Sequence, residues 1–396
     1  MLKESKKVAG NKPIILVFIG NYLPGYKAGG ILRNIVNTVD HLSDEFEFKI
    51  VTRDRDLGDE KPYDNIILDK WQKVGLTVVY YLSQPSSSYT EIKKLLLNTP
   101  HDILLLNSFF DPFTVKILLN RKLNPRGFKP IIVSPFGEFA WASLRQKYFK
   151  KFVFIHLARL IGLYNNITWR VSSEFEKLDL IKVIKVKNDP ILITGDLPIK
   201  NAVVNPNNFV LNNSGVLNIV FLSRISREKN LDYALKVLKN LKVSVVFDIY
   251  GPTENELYWK ECKKLIEQLP DNISVNYLGN ATSDQVLNIF ARYDLFLFPT
   301  GGEAYGNVIA ECLAVGTPVL VSTETPWRNL EADGLGWDIN LNDFDLYVKT
   351  IEEFYNLSTL ERQKRRVLAK QNVQSRLFDP FIVESNISMF RMQLHN

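Results

Sequence analysis

The sequence predicts an α/β protein built as two Rossmann-like halves that face each other across a cleft. Short apolar or β-branched runs alternate with segments of helical period along the whole chain. This alternation breaks once, at an Asn-rich stretch from Asn201 to Gly215 that reads as a linker. Length agrees: at 396 residues, a norm of one domain per roughly 150 residues gives two or three domains, and two is the working number.

The first series of expected strands is Ile14–Ile19, Phe46–Thr52, Thr77–Leu82, Ile103–Asn107, Pro130–Ser134 and Ile191–Thr194. Several are continuously apolar, as parallel strands covered by helices on both faces require. Residues 1–200 are assigned to this first domain and 201–215 to the linker. The second series, within residues 216–378, places strands near Leu217–Leu222, Val245–Ile249, Ile273–Tyr277, Leu295–Phe298 and Val319–Ser322, with helices such as Leu231–Asn240 and Glu254–Leu269 between them. Asp379-Pro380 has the form of an N-cap followed by proline at the first helical position. The amphipathic segment from Phe381 to Leu394 is expected to cross back to the first domain, so residues 379–396 are set apart.

Composition removes several function classes. Apolar residues make up 46% and charged residues 23%, enough for two cores, and disorder is expected only at the extreme N-terminus. Cys262 and Cys312 lie in apolar, helix-like segments without zinc or disulfide spacing, which suits a reducing, cytoplasmic compartment. The run Ile14–Ile19 is far shorter than the roughly 20 residues that span a bilayer, so neither a signal peptide nor a transmembrane helix is expected. His41, His101, His156 and His395 are scattered, with no metal spacing and no nucleophile partner.

The net charge of +6 is unevenly spread. From Phe139 to Ser173 stand Arg145, Lys147, Lys150, Lys151, Arg159 and Arg170, with no acid among them. Over Trp141–Tyr164 these cations interleave with Phe149, Phe152, Phe154 and Leu157, the pattern of a helix resting on an anionic membrane or of an ordinary basic surface helix. No recognition helix or aromatic sheet motif accompanies them, so nucleic acid is not an expected partner.

Chemistry concentrates at the ends of expected strands. Pro299-Thr300-Gly301-Gly302-Glu303-Ala304-Tyr305-Gly306-Asn307 leaves one strand and opens a helix, where glycines admit close approach of a ligand and first-turn N–H groups stay free. Glu303 is expected in the loop and Glu311, with seven residues between, about two turns into the helix, so that they meet different parts of one extended ligand. Carboxylates accept hydrogen bonds from sugar or ribose hydroxyls. Arg224 and Lys229 follow the first strand of the second half, where open α/β sheets bind ligands, and suit the oxygens of a diphosphate. In the first half, Gly29 and Gly30 close a strand-to-helix turn after Gly20. Gly251 and Asn280 fall in loops expected to touch the same ligand.

These residues together resemble family 4 of the retaining glycosyltransferases, with the GT-B fold, and more closely its bacterial polysaccharide-assembly members of the lipopolysaccharide or capsule type. The resemblance runs over Ala28-Gly29-Gly30, Ser134-Pro135-Phe136-Gly137, Ser173-Glu174-Phe175-Glu176, Arg224 with Lys229, Glu303-x7-Glu311 and Gly316-Thr317-Pro318-Val319. It implies that Glu303 and the backbone of Ala304, Tyr305, Gly306 and Asn307 hold a donor hexose, that Glu311 holds the ribose, and that Arg224 and Lys229 neutralise the diphosphate. Glu303, Arg224 and Lys229 then form the catalytic set. Gly29 and Gly30 close the site, and Phe136, Gly137 and Glu138 stand on the acceptor side.

The same resemblance implies a nucleotide-sugar donor, a saccharide acceptor that is often lipid-linked, front-face attack with retention, and no metal or other cofactor. Members often carry Arg or His where this chain has Phe136. That departure keeps open an inactive sugar-nucleotide binding module. Phosphorolysis with pyridoxal phosphate and epimerisation are further chemistries of the same architecture. Asp54-Arg55-Asp56 matches the Asp-x-Asp metal pattern of the other main glycosyltransferase fold, but a solvated acidic loop is the expected reading.

Overall fold

A computed structural model describes residues 12–125, 127–186, 189–200 and 215–395. The expected linker therefore lies outside the described residues, except for Gly215. Among the described residues, the first domain holds an eight-stranded sheet in the order β3-β4-β2-β1-β5-β6-β7-β8. Its strands are β1 Ile14–Phe18, β2 Glu47–Arg53, β3 Trp71–Val74, β4 Thr77–Leu82, β5 Ile103–Asn107, β6 Ile131–Ser134, β7 Thr168–Val171 and β8 Ile191–Ile193. All neighbours pair in parallel except β3, which forms a hairpin with β4 and was not expected from the sequence. Its four residues are too short and too exposed to show a periodic pattern.

The second sheet is parallel throughout, in the order β11-β10-β9-β12-β13-β14. It is formed by β9 Leu217–Leu222, β10 Val245–Tyr250, β11 Ile273–Tyr277, β12 Leu295–Phe298, β13 Val319–Ser322 and β14 Gly336–Ile339. The order reverses between β9 and β12, and similarly between β1 and β5 in the first sheet. Such a switch opens a crevice beyond the carboxyl ends of the strands.

Both faces of the first sheet are covered. Leu16, Phe18, Leu104 and Leu106 pack against one helical layer, while Ile15, Val17, Ile50 and Leu105 pack against the other. This second layer includes Met389 and Phe390 of the helix Pro380–Leu394. That helix starts with the Asp379 carboxylate accepting from Phe381 N at 2.9 Å, and docks on the first domain through Asn386 Nδ2 donating to the Gly195 carbonyl. A single cluster around Phe221, Phe247, Phe290 and Phe298 fills the second domain.

The basic stretch corrects one expectation. It is not one helix: Trp141–Leu144 and Tyr148–Leu160 are separated at Lys147, whose φ of 54° is left-handed. A left-handed residue cannot continue a right-handed helix. Among the described residues, no helix is long and apolar enough to cross a membrane.

Candidate functional site

The two switch points face each other across a cleft of about 540 Å³. Its second-domain wall is made of two loops tied together, since Gly301 N donates to the Glu228 carbonyl at 2.7 Å and Asn230 Nδ2 to the Pro299 carbonyl at 3.0 Å. The first loop makes a tight turn over Arg227–Lys229, after which Asn230 at φ 55° redirects the chain into the helix Leu231–Lys239. Lys229 is thereby buried beside the second loop. Its Nζ stands 2.7 Å from Glu303 Oε1 and 3.1 Å from Glu228 Oε1. Burial by itself would lower the Lys229 pKa, but Glu303 and Glu228 outweigh it and hold the ammonium above the ordinary lysine range.

Glu228 was not singled out from the sequence, although it adjoins Lys229. Burial would raise its pKa, and Lys229 and Arg224 together more than reverse this. Arg224 lines the cleft farther out and pairs with Glu254 at 2.7 Å. The cage thus brings Lys229 and Glu303 into contact, with Arg224 close by and half-exposed.

Gly306, at φ 85°, caps the helix Asn307–Ala314. That cap places the helix start later than expected, so Glu311 is its fifth residue, a little over one turn in rather than two. Glu311 meets a residue the sequence reading missed, Arg33 of the helix Gly30–Leu42 in the first domain. Arg33 Nε lies 3.0 Å from Glu311 Oε1, and Arg33 Nη2 donates to the Ser283 carbonyl at 3.2 Å. Burial raises the Glu311 pKa, and Arg33 opposes that rise. The available signal was a lone arginine one turn after the Gly29-Gly30 turn.

The glycines have different reasons. Gly29 sits at φ 66° as the N-cap of its helix, and a Cβ there would meet open space, while one at Gly30 would approach Asn307 Nδ2 at 3.5 Å. Gly251 is sterically required, because a Cβ would stand 1.8 Å from the Ser223 carbonyl oxygen. Its N–H donates to Gly279, beside Asn280. Gly251 and Asn280 both line the cleft.

On the opposite wall, Phe136 and Gly137 follow β6 with φ of 49° and 74°. A Cβ on Gly137 would stand 3.0 Å from Ala304 Cβ, so glycine lets the two domains touch. Glu176 holds this wall: it accepts from Gly137 N at 2.7 Å and from Ser172 N and Oγ at 2.8 Å each. Ser172 and Ser173 in turn donate to the Ala304 carbonyl across the cleft, at 3.1 and 3.2 Å. Phe136 lies under the Arg170 guanidinium, 5.5 Å from its ring centre.

Glu138 turns its carboxylate inward, accepting from Ser108 Oγ at 2.6 Å and from Phe109 N. Burial pushes its pKa up to about 7, against the lowering influence of those two donors and Lys151. Folding therefore favours the protonated form, and this contribution, complete below about pH 4.5, is lost as pH rises through about 7. One such group changes stability by up to about 1.4 kcal/mol per pH unit. Thermal melts of Glu138→Gln are expected to show a flatter stability profile between pH 4.5 and 7 than the parent, and parallel profiles would refute the assignment.

Asp54-Arg55-Asp56 is not the solvated loop expected: Asp54 and Asp56 are buried and occupied by structural bonds. Asp54 pairs with Arg55 at 2.7 Å, and Asp56 accepts from Tyr26 N, Lys27 N and Leu57 N, holding the loop that leads to Gly29. Among the described residues, no group of three or more His, Cys, Asp or Glu is arranged to hold a metal ion.

Comparison with known proteins adds the family context. Residues 208–374 match the family model described as glycosyl transferases group 1. An uncharacterized 41.2 kDa protein in the cps region of Klebsiella pneumoniae is 25% identical over 68% of this chain and 74% of its own length. Among solved structures, the Anabaena protein HepE in complex with UDP-glucose superposes with a TM-score of 0.70 at 15% identity, covering 96% of this chain and 98% of that one. WaaG, a glycosyltransferase involved in lipopolysaccharide biosynthesis, gives a TM-score of 0.68 at 14% identity, over 94% and 99%. The chain is thus a protein of GT-B fold whose second domain carries the match to the group 1 glycosyltransferases.

Proposed function

We propose that the chain transfers a hexose from a nucleoside-diphosphate sugar to a saccharide acceptor, with retention of configuration and without a metal ion. The observation that carries this reading is the buried Lys229 ammonium held between Glu228 and Glu303, at the strand switch point and within the same cleft as Glu311. A fixed cation there meets the charge that grows on a departing diphosphate, and Arg224 and the first-turn N–H groups of the helix from Asn307 add to it. Glu303 accepts from hexose hydroxyls and Glu311 from the ribose. The glycosidic C1–O bond to the diphosphate breaks as the acceptor oxygen bonds C1 on the same face, and the acceptor proton passes to the leaving phosphate oxygen. The bound UDP-glucose of the HepE structure makes uracil the first base to test.

The acceptor is a saccharide of surface-polysaccharide assembly, presented on a lipid at the cytoplasmic leaflet. The cps-region relative supports the pathway class. An exposed apolar and basic surface supports the membrane: Trp141, Phe149 and Leu160 are 69, 77 and 82% exposed, and the adjoining Lys151 lines the cleft. Co-sedimentation with phosphatidylglycerol vesicles at low salt is expected, and Phe149→Ser with Leu160→Ser should abolish it. Equal recovery with neutral vesicles and in the double variant would remove the membrane from the proposal.

The deciding experiment records melting temperature and released nucleotide with UDP-, GDP- and ADP-sugars, with and without EDTA. A shift for one nucleotide class that survives EDTA and disappears in Glu311→Ala is the expected result. A shift that requires a divalent ion would return Asp54-Arg55-Asp56 to consideration, and binding without transfer to any acceptor would identify an inactive binding module.

A further inference from the structure

One cation on the acceptor wall has no paired counter-charge. Among the described residues, Lys27, Arg33, Lys151, Arg224 and Lys229 line the cleft. All but one pair with a carboxylate: Lys27 with Asp59, Arg33 with Glu311, Arg224 with Glu254, and Lys229 with Glu228 and Glu303. Lys151 forms no such pair among the described residues. Glu138, the acid nearby on the same wall, spends its carboxylate on Ser108 Oγ and Phe109 N, and the stretch from Phe139 to Ser173 holds no other acid.

Lys151 is nonetheless fixed in place. It lies half-buried in the first turn of the helix Tyr148–Leu160, where its Nζ donates to the Ser143 carbonyl at 2.7 Å and stands 5.1 Å from the centre of the Phe110 ring. An ammonium has three N–H donors, so Ser143 leaves two to spare. Ser143 belongs to the short helix Trp141–Leu144, which, with its N-cap Ala140, rests on the turn that carries Glu303. A Cβ on Gly301 would come 3.4 Å from Ala142 Cβ, and one on Gly302 3.6 Å from Ala140 Cβ. Lys151 therefore sits close to that turn but on the opposite domain. Burial holds its pKa below the ordinary lysine range, and Glu138 and Glu228, acting at longer range, do not offset this. An anion placed against the ammonium would.

Charge and position select the ligand. A half-buried cation with spare donors and no paired carboxylate favours a phosphate or a carboxylate. The donor diphosphate is met from the other domain by Lys229 and Arg224, whereas Lys151 shares its wall with Phe136, Gly137 and Glu138. We propose that Lys151 anchors an anionic group of the acceptor, a phosphate or carboxylate carried close to the attacking hydroxyl. This deepens the transferase reading above and rests on it. Two sources have this chemistry: the phosphate that joins a saccharide to its lipid, and an acidic substituent of the acceptor sugar itself. The first confines the acceptor to a short saccharide, because a long one would hold its lipid phosphate outside the cleft. The exposed Phe149 and Leu160 of the same helix favour this first source.

Calorimetric titration tests the anchor. The protein, saturated with the nucleoside diphosphate it binds, is titrated with geranyl diphosphate and with methyl glucuronide, and with geraniol and methyl glucoside as their neutral counterparts. The parent should bind one anionic probe about 10–100-fold more tightly than its neutral counterpart, the scale of a hydrogen bond to a charged group. Lys151→Met should lose that margin and keep both its melting temperature and its affinity for the free nucleoside diphosphate, since an unbranched stem still covers Phe110. Lys151→Arg should keep most of the margin. Preference for geranyl diphosphate names the lipid phosphate as the source, and preference for the glucuronide names an acidic sugar. If the parent prefers neither anion, if Lys151→Met binds the anion as the parent does, or if it loses nucleotide affinity to the same degree, the anchor is overturned and the donor site stands. If the parent binds no nucleoside diphosphate, the donor-site reading fails and the anchor with it.

Discussion

Replacing Lys229 by alanine is expected to lower glycosyl transfer about 10²–10³-fold, the usual loss when one preorganised charge is removed from a developing anion. The ammonium sits within 3.1 Å of two carboxylates, so its deletion also leaves Glu228 and Glu303 facing each other without a counter-charge. Breaking a buried pair from one side costs roughly 3–5 kcal/mol, and the melting temperature should fall. Two measurements separate the effects. The double variant Lys229→Met, Glu228→Gln should regain part of the stability but no transfer, because it keeps Glu303 and the net charge of the cage and removes the cation. Lys229→Arg should retain part of the stability and little of the rate, since a planar fork does not fit a cage built around a point charge. Normal transfer by Lys229→Ala in donor-saturated assays would remove the cation from the mechanism.

The second large effect is expected at Glu311. Its carboxylate joins the domains through Arg33, and both side chains are only 12 and 15% exposed. Glu311→Ala leaves the guanidinium largely buried with, among the described residues, the Ser283 carbonyl as its hydrogen-bond acceptor, and deletes the acceptor assigned to the ribose. Nucleoside-diphosphate affinity should therefore fall at least about 10-fold, in line with the roughly 1.5–3 kcal/mol of a hydrogen bond to a charged group. The radius of gyration in solution scattering should rise as the cleft opens. Arg33→Ala should share the opening but keep more of the affinity, because Glu311 survives. A double-mutant cycle on melting temperature isolates the pair, with a coupling of about 0.5–3 kcal/mol expected for residues in contact. Additive losses and unchanged nucleotide affinity would show that Arg33 and Glu311 do not act together.

Much of the fold was legible because its determinants are local. Runs such as Ile103–Leu106 and Leu295–Phe298 are apolar at every position, as strands of a parallel sheet covered by helices on both faces require. The strand-to-loop-to-helix passage at Pro299–Asn307 announced itself through glycines, and the backbone shows why at Gly306, where a left-handed φ caps the helix. The β3–β4 hairpin and the break at Lys147 were not legible. The first is too short to set a period, and the second is imposed on a sequence whose helical pattern runs straight through it.

By itself, then, the sequence determined the two α/β halves, the loops at the ends of their strands, and the residue types able to meet a sugar and a diphosphate. Those follow from periodicity, turn chemistry and spacing, which act over a few residues. Only the tertiary structure decided what each group touches. It set Glu228 beside Lys229 and Glu303, paired Arg33 with Glu311 across the cleft, tied Ser172 to Ala304, and spent Asp56 on the loop before Gly29. Most of these contacts join residues far apart in the chain, where no local rule of spacing reaches, and burial at the meeting of two domains is what turns ordinary side chains into a site.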